Sequence, residues 1–397
     1  MKLNWNLKMW AVVAALIVVL AATGTVLANK EVEKQSISIV ARVNNDGSGI
    51  FVRGDVNVDD LVTIDGGVVT YHPDGWRDML FMSPGPSSIQ HMILMDIVKK
   101  KVGLGFVQNG VPYTEPSVRW TQVAPGQMKD MMAKSKDDNL IHGGIAWEPH
   151  FANIVASGAK KVISSSQYWE DHPCCVVAVN KKYMDTHGEQ VKRFLAAYVK
   201  SAIKVGDILE TGIGDEYEGL IDLVVRVGAP KEGTLDRNAA KVAMANTTYT
   251  YELSNLSDEL TKVAETYKGL GLFSDETLTD AGFDGVQDFI EYLIKDGPLS
   301  EVVVNDGSGP RAKTPAELSL SDNSYRVDVA YLAADTHQIA LHYGIEKGYF
   351  QEYGIYVNLM GPYAAGGDVM GALLSEHANI GLVGSPPALL QSINALR

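Results

Sequence analysis

The stretch from Tyr325 to Arg397 limits the possible folds more than any other. It opens with an alternating strand over residues 325–332. The polar turn Ala334-Asp335-Thr336-His337 then leads into a helical pattern. A second strand follows Gly354 at residues 355–359, then a helix, then a third strand at 379–383. Gly384-Ser385-Pro386-Pro387 and one more helix follow. Strands that hand over directly to helices predict an α/β fold with a parallel sheet and crossover connections. Such sheets bind ligands at the carboxyl ends of their strands. Only half a sheet is present here, so its remaining strands must come from elsewhere in the 397 residues.

The earlier chain supplies candidates. Residues 36–43 alternate as a strand and end in Asn44-Asn45-Asp46-Gly47-Ser48-Gly49, read as a turn because these residues tolerate left-handed dihedrals. Residues 50–53 resume an extended run, and 54–78, rich in Asp, Gly and Val, predict hairpins. Asp55 to Asp59 resembles the start of a calcium loop. Asp60 stands where that loop needs Gly, however, and Gly66 where it needs a bidentate Glu, so calcium is excluded there. Further strands are predicted at 79–82, 118–123, 141–146, 160–163 and 174–179, the last a continuous apolar run of the central-strand type. Helices are expected at 89–101, after Pro125, at 190–208, from Ser257 to Gly269, and at 286–295. Residues 305–315 have a linker composition.

Composition narrows the function classes. With 46% apolar residues the chain can build a core, and its net charge of −14 excludes non-specific nucleic-acid binding. Lys2 and Lys8 precede an apolar run over residues 9–28 that closes on Val26-Leu27-Ala28. This describes an export signal or an uncleaved membrane anchor, and places the rest of the chain outside the cytoplasmic membrane, periplasmic or at the cell surface. The two cysteines, Cys174 and Cys175, are adjacent, so no disulfide scaffold is expected. Side chains alternate along a strand, so these thiols are expected on opposite faces and not on one ion. Neither a metal nor a cofactor is expected. No P-loop, dinucleotide glycine pattern or nucleophile–base signature is present.

Several motifs together resemble one family, the solute-binding proteins of ABC importers for nitrate, aliphatic sulfonate and taurine. They are Asp335-Thr336-His337, Glu346-Lys347-Gly348-Tyr349-Phe350, Gly354-Ile355-Tyr356-Val357 and Gly384-Ser385-Pro386-Pro387 near the end. Earlier in the chain come Pro84 to Gln90, Trp147-Glu148-Pro149 and His172-Pro173-Cys174-Cys175. The family's opening quarter stands last here, so the resemblance implies a circularly permuted, two-lobed periplasmic-binding-protein type II fold. Residues 36–78, 173–297 and 325–397 would form lobe 1, residues 79–172 lobe 2, and 298–324 a linker, after a signal or anchor at 1–28.

The resemblance implies a small-molecule ligand held between the lobes, delivery to ABC permease and ATPase subunits, and membrane contact through the N-terminal segment only. The anionic head would sit at helix starts, whose unpaired N–H groups favour negative charge. Candidate contacts are Asp335, Thr336, His337, Ser385 and Pro386 with Asn45, Asp46 and Ser48 on one lobe. Ser87, Ser88, Trp147 and Glu148 are their counterparts on the other. No catalytic residue is expected. The alternatives are a thiamine-pyrimidine-synthesis-like enzyme and a ligand sensor on the same fold.

Overall fold

Twelve strands of the described residues sort into two six-stranded mixed sheets, and the site lies where the sheets meet. The computed structural model describes residues 36–135, 140–229, 235–307 and 309–397. The expected signal or anchor segment lies outside these residues. Among the described residues, no helix is long and apolar enough to cross a membrane.

Strand β1 (Ile37–Asp46) carries the alternation read from sequence, but it does not turn back at its Asn-Asp-Gly end. It continues through the single residue Gly47 into β2 (Ser48–Val52), which pairs in the other sheet. The residue types that favour a turn here serve a passage between sheets. Asp46 and Gly47 both take positive φ, at 60° and 81°. Gly47 has a second reason to be glycine: a Cβ there would lie 2.3 Å from His337 Nε2. The lobe boundary therefore falls at Gly47, not at Asp78, and residues 48–78 go with the second sheet.

That second sheet has the order β6-β7-β5-β8-β2-β9. Its remaining strands are β5 (Leu80–Ser83), β6 (Gly105–Gln108), β7 (Ser117–Gln122), β8 (Gly143–Trp147) and β9 (Lys160–Ser164). The hairpin β3 (Val62–Asp65) and β4 (Val68–Tyr71) turns at Gly66-Gly67 beside it. Between β5 and β6 the expected helix runs Ile89–Asp96 and then loosens into a π turn at Ile97–Val102.

The chain returns through residues 165–172 to β10 (Pro173–Asn180), every residue of which is buried. The first sheet has the order β11-β1-β10-β16-β14-β15. Its members from the far end of the chain are β14 (Tyr325–Leu332), β15 (Ile355–Tyr363) and β16 (Ile380–Gly384), all mutually parallel where paired; β11 is Thr247–Tyr249. Residues 325–397 thus complete a sheet begun at Ile37, with β16 lying antiparallel against β10 from Cys175 to Val179. The chain is a two-lobed α/β protein, the architecture expected from its alternating strands and helices.

The segment 298–324 is not a free linker. It forms the helix Gly297–Val302 and the hairpin β12 (Val303–Asn305) and β13 (Pro310–Ala312). Its end is then held by Arg193, a buried residue of the long helix Gly188–Thr211, which donates to the carbonyls of Ser321 and Asn323.

Candidate functional site

A cavity of about 160 Å³ lies between the sheets, and both lobes line it. Four helices of eight or more residues begin at its wall: Ile89–Asp96 and Pro125–Lys134 from the second lobe, Gly366–Leu374 and Ser385–Asn394 from the first. Each follows a strand, because a strand that enters the cleft at its carboxyl end must leave it through a turn and a helix. Helix starts carry unpaired N–H groups and partial positive charge. They are not equal here. Pro386 and Pro387 occupy the first turn of the last helix and have no N–H to offer. Gly366 and Gly367 keep theirs and have no Cβ to hold a ligand away.

Of the residues expected at the site, Ser87, Ser88, Trp147, Asp335, His337 and Pro386 line the cavity. The Ser88 hydroxyl is already committed: it accepts from His91 N at 3.1 Å and donates to Gly85 O at 2.8 Å, as an N-cap. The Trp147 indole N–H has no partner among the described residues.

The other expected contacts face inward. Ser385 Oγ donates to Pro173 O, and Ser48 Oγ accepts from Gln90 Nε2. Asn45 Oδ1 accepts from Arg42. Asp46 is buried 3.7 Å from His172 Nε2, and Thr336 is fully buried, its backbone N donating to Glu148 O. Glu148 is fully buried too, accepting from Ala152 N at 2.9 Å and Asn246 Nδ2 at 2.8 Å. The Thr336–Glu148 and Glu148–Asn246 bonds cross between the lobes, the Ser385, Ser48 and Asn45 bonds stay within one, and none of these expected contacts lines the cavity.

Sequence reasoning missed Gln90, Gln122, the Ala365-Gly366-Gly367 helix start, and both cysteines. The run of small residues at 364–367 was the available signal for the helix start. Cys174 and Cys175 were expected on opposite faces, and that expectation is overturned. Between the cross-strand pairs Asn44–Cys175 and Asn45–Pro173, β1 advances one residue and β10 advances two. Such a bulge interrupts the alternation of side chains. Both sulfurs lie on the cavity side, 3.9 Å apart, and both face His337 Nδ1, at 3.5 Å from Cys174 and 3.9 Å from Cys175.

The electrostatics of the site centre on that group. The Cys175 thiol's hydrogen bond holds the Cys174 thiol well below the ordinary value, against the cost of burial and with help from His337. Burial works against a charge on His337, but the Cys174 thiolate and Asp335 outweigh it and push its pKa up. Asp335, fully buried, is raised to about 6 by desolvation despite the nearby imidazolium. Among the described lining residues there is no Lys or Arg.

A family model described as the NMT1-like family matches residues 9–206 of the chain. Solved structures are similar to the chain as well. One is the ligand-binding component of an ABC-type import system from Staphylococcus aureus with zinc bound, 18% identical with a TM-score of 0.45 over 62% of this chain and 72% of that one. Another is the periplasmic nitrate-binding protein NrtA from Synechocystis PCC 6803, 13% identical with a TM-score of 0.47 over 67% and 66%. No curated protein matches the chain.

Proposed function

With residues 9–206 of the chain matching the model of the NMT1-like family, we propose that it is the extracytoplasmic solute-binding component of an ABC importer, a binding protein and not an enzyme. It closes its two lobes over a small ligand and presents it to a membrane permease driven by an ATPase. The observation that carries this reading is the cavity itself: it lies between two separately built sheets, each of which contributes helix starts to its wall. The chain crosses between the lobes at Gly47 and again within residues 165–172, a layout suited to hinge closure.

The wall chemistry suggests the ligand class. A cavity of about 160 Å³ is near the size of one known to take benzene, roughly 150 Å³, so the solute is compact. The donors left are the helix starts, the free Trp147 N–H, and the amide hydrogens that Gln90 and Gln122 do not already give to Ser48 Oγ and Pro84 O, which suits a nitrate-, sulfonate- or taurine-like anionic head. His337 is the one basic side chain among the described lining residues, and the Cys174 thiolate and Asp335 already offset its charge, so only the helix starts and neutral donors are left for the head, which favours one of low charge. The order of the chain is read as the family order rotated. The order β1-β10-β16-β14 supports that reading, since it sets strands from the early and the late parts of the chain in one sheet.

Thermal unfolding of the purified chain with taurine, short alkanesulfonates, nitrate, bicarbonate and a pyrimidine tests the proposal. At least one singly charged anion is expected to stabilise it saturably, by about 2.7 kcal/mol at 100 times its Kd. No stabilisation by any of them would remove the receptor reading.

A further inference from the structure

We propose that Cys174, Cys175 and His337 form a binding site for a thiophilic metal ion, Zn²⁺ or Cu⁺ in class, whose remaining coordination position opens into the cleft. The inference is independent of the identity of the solute. It starts from the three donor atoms that the bulge in β10 brings together, which all lie within 4.8 Å of one another. A tetrahedral zinc ion with ordinary Zn–S and Zn–N bonds sets two sulfurs roughly 3.8 Å apart and a sulfur and nitrogen roughly 3.6 Å apart. The observed separations are 3.9 Å between the sulfurs, and 3.5 and 3.9 Å from them to Nδ1. The donor separations therefore match those of an occupied site.

The support around the donors is also in place. His337 Nε2 lies 2.9 Å from Gly47 O, and a carbonyl only accepts, so Nε2 carries the hydrogen. With Nε2 so fixed, Nδ1 is the nitrogen left for the ion, and it is the one that faces the thiols. A histidine ligand held through its far nitrogen by a carbonyl is the usual outer-shell arrangement of metal sites. Asp335 Oδ1 stands 3.2 Å from Nδ1 and adds a negative charge beside the ion. On binding, the ion replaces the proton on the Cys175 sulfur and the one on Nδ1, which are released to solvent.

Three protein ligands with an open fourth position distinguish a site that meets an exogenous molecule from a closed structural one. All three residues and Asp335 line the cavity, so that fourth position is where a donor atom of a cleft ligand would arrive. The softness of two thiolates selects against Mg²⁺ and Ca²⁺.

The test is titration of the full chain, reduced beforehand to keep both thiols free, with Co²⁺ as an optical probe and Zn²⁺ as competitor, no solute being added. Thiolate-to-cobalt charge-transfer absorption is expected at one equivalent, abolished by one equivalent of Zn²⁺, with protons released on binding. Cys174→Ser, Cys175→Ser and His337→Gln should each weaken Co²⁺ by more than the roughly 10–100-fold typical of losing an outer-shell group. Asp335→Asn should weaken binding but keep the charge-transfer bands. Circular dichroism shows whether each variant is folded, and the parent protein tests the idea even if a variant is not. Cobalt binding without thiolate absorption, or no binding to the reduced parent protein, would overturn the proposal.

Discussion

Glu148 adjoins Trp147 at the cavity wall, yet its carboxylate is turned inward to the Ala152 N–H and the Asn246 amide. Burial raises its pKa to about 7, with those two donors opposing the rise. The unfolded chain holds the same group near 4.5, so between these values the folded state binds the extra proton. Its contribution to stability is therefore complete below pH 4.5 and lost as pH climbs through 7. Glu148→Gln cannot titrate, and Asn246 can turn its amide over to donate or accept as needed. Between pH 4.5 and 8, the stability of the variant relative to the parent should improve by about 3 kcal/mol, measured by urea unfolding at each pH. A constant difference across that window would contradict the raised pKa. At this scale the sequence was readable where a residue's place at the cavity wall follows from its position after a strand, as for Asp335, His337 and Trp147. It was misleading for Cys174 and Cys175, because the bulge that aligns them is set by pairing with β1, more than a hundred residues earlier.

Arg193 joins elements that the sequence gives no reason to connect. Its guanidinium, almost wholly buried, donates to Glu189 one turn away, to Ser321 O and Asn323 O in the segment before β14, and to Tyr353 O before β15. Arg193→Met keeps the length of the side chain and leaves three carbonyls without their donor, at a cost of roughly 3 kcal/mol. Urea unfolding should show that loss, and limited proteolysis should cut faster within residues 313–324; an unchanged cleavage rate would mean that other contacts hold the segment. The element pattern itself was legible where alternation or a continuous apolar run is long, as in β1 and β10. Strands β11 and β12, three residues each, carry too short a signal for periodicity to register. The end of β1 was misread as a reversal because Asn, Asp and Gly report only tolerance of positive φ, not the direction the chain then takes.

On the scale of the molecule, the first sheet depends on strands from both ends of the chain. Removing residues 325–397 takes away β14, β15 and β16 and exposes the flank of β10 from Cys175 to Val179. A chain ending at Ser324 should lack a cooperative thermal transition for the first lobe, or should self-associate through the exposed edge. Light scattering and calorimetry read both outcomes; a monomer with the parent's full transition would show that the last stretch does not complete its own chain's sheet. The second lobe should keep a transition of its own, since all its strands lie within residues 48–164.

The same topology sets an order of arrival during synthesis. Strands β2 to β9 leave the ribosome as one continuous run and can pair as they emerge, domain by domain. The centre of the first sheet emerges soon afterwards but must wait for some two hundred residues, until β16, before its open side is covered. Throughout that interval Val176, Val177, Ala178 and Val179 form an apolar ribbon with unpaired backbone on one edge, the kind of surface that nascent-chain chaperones hold. The cleft is therefore late to exist: one wall is folded early, and the other is assembled only once residues 380–384 have emerged.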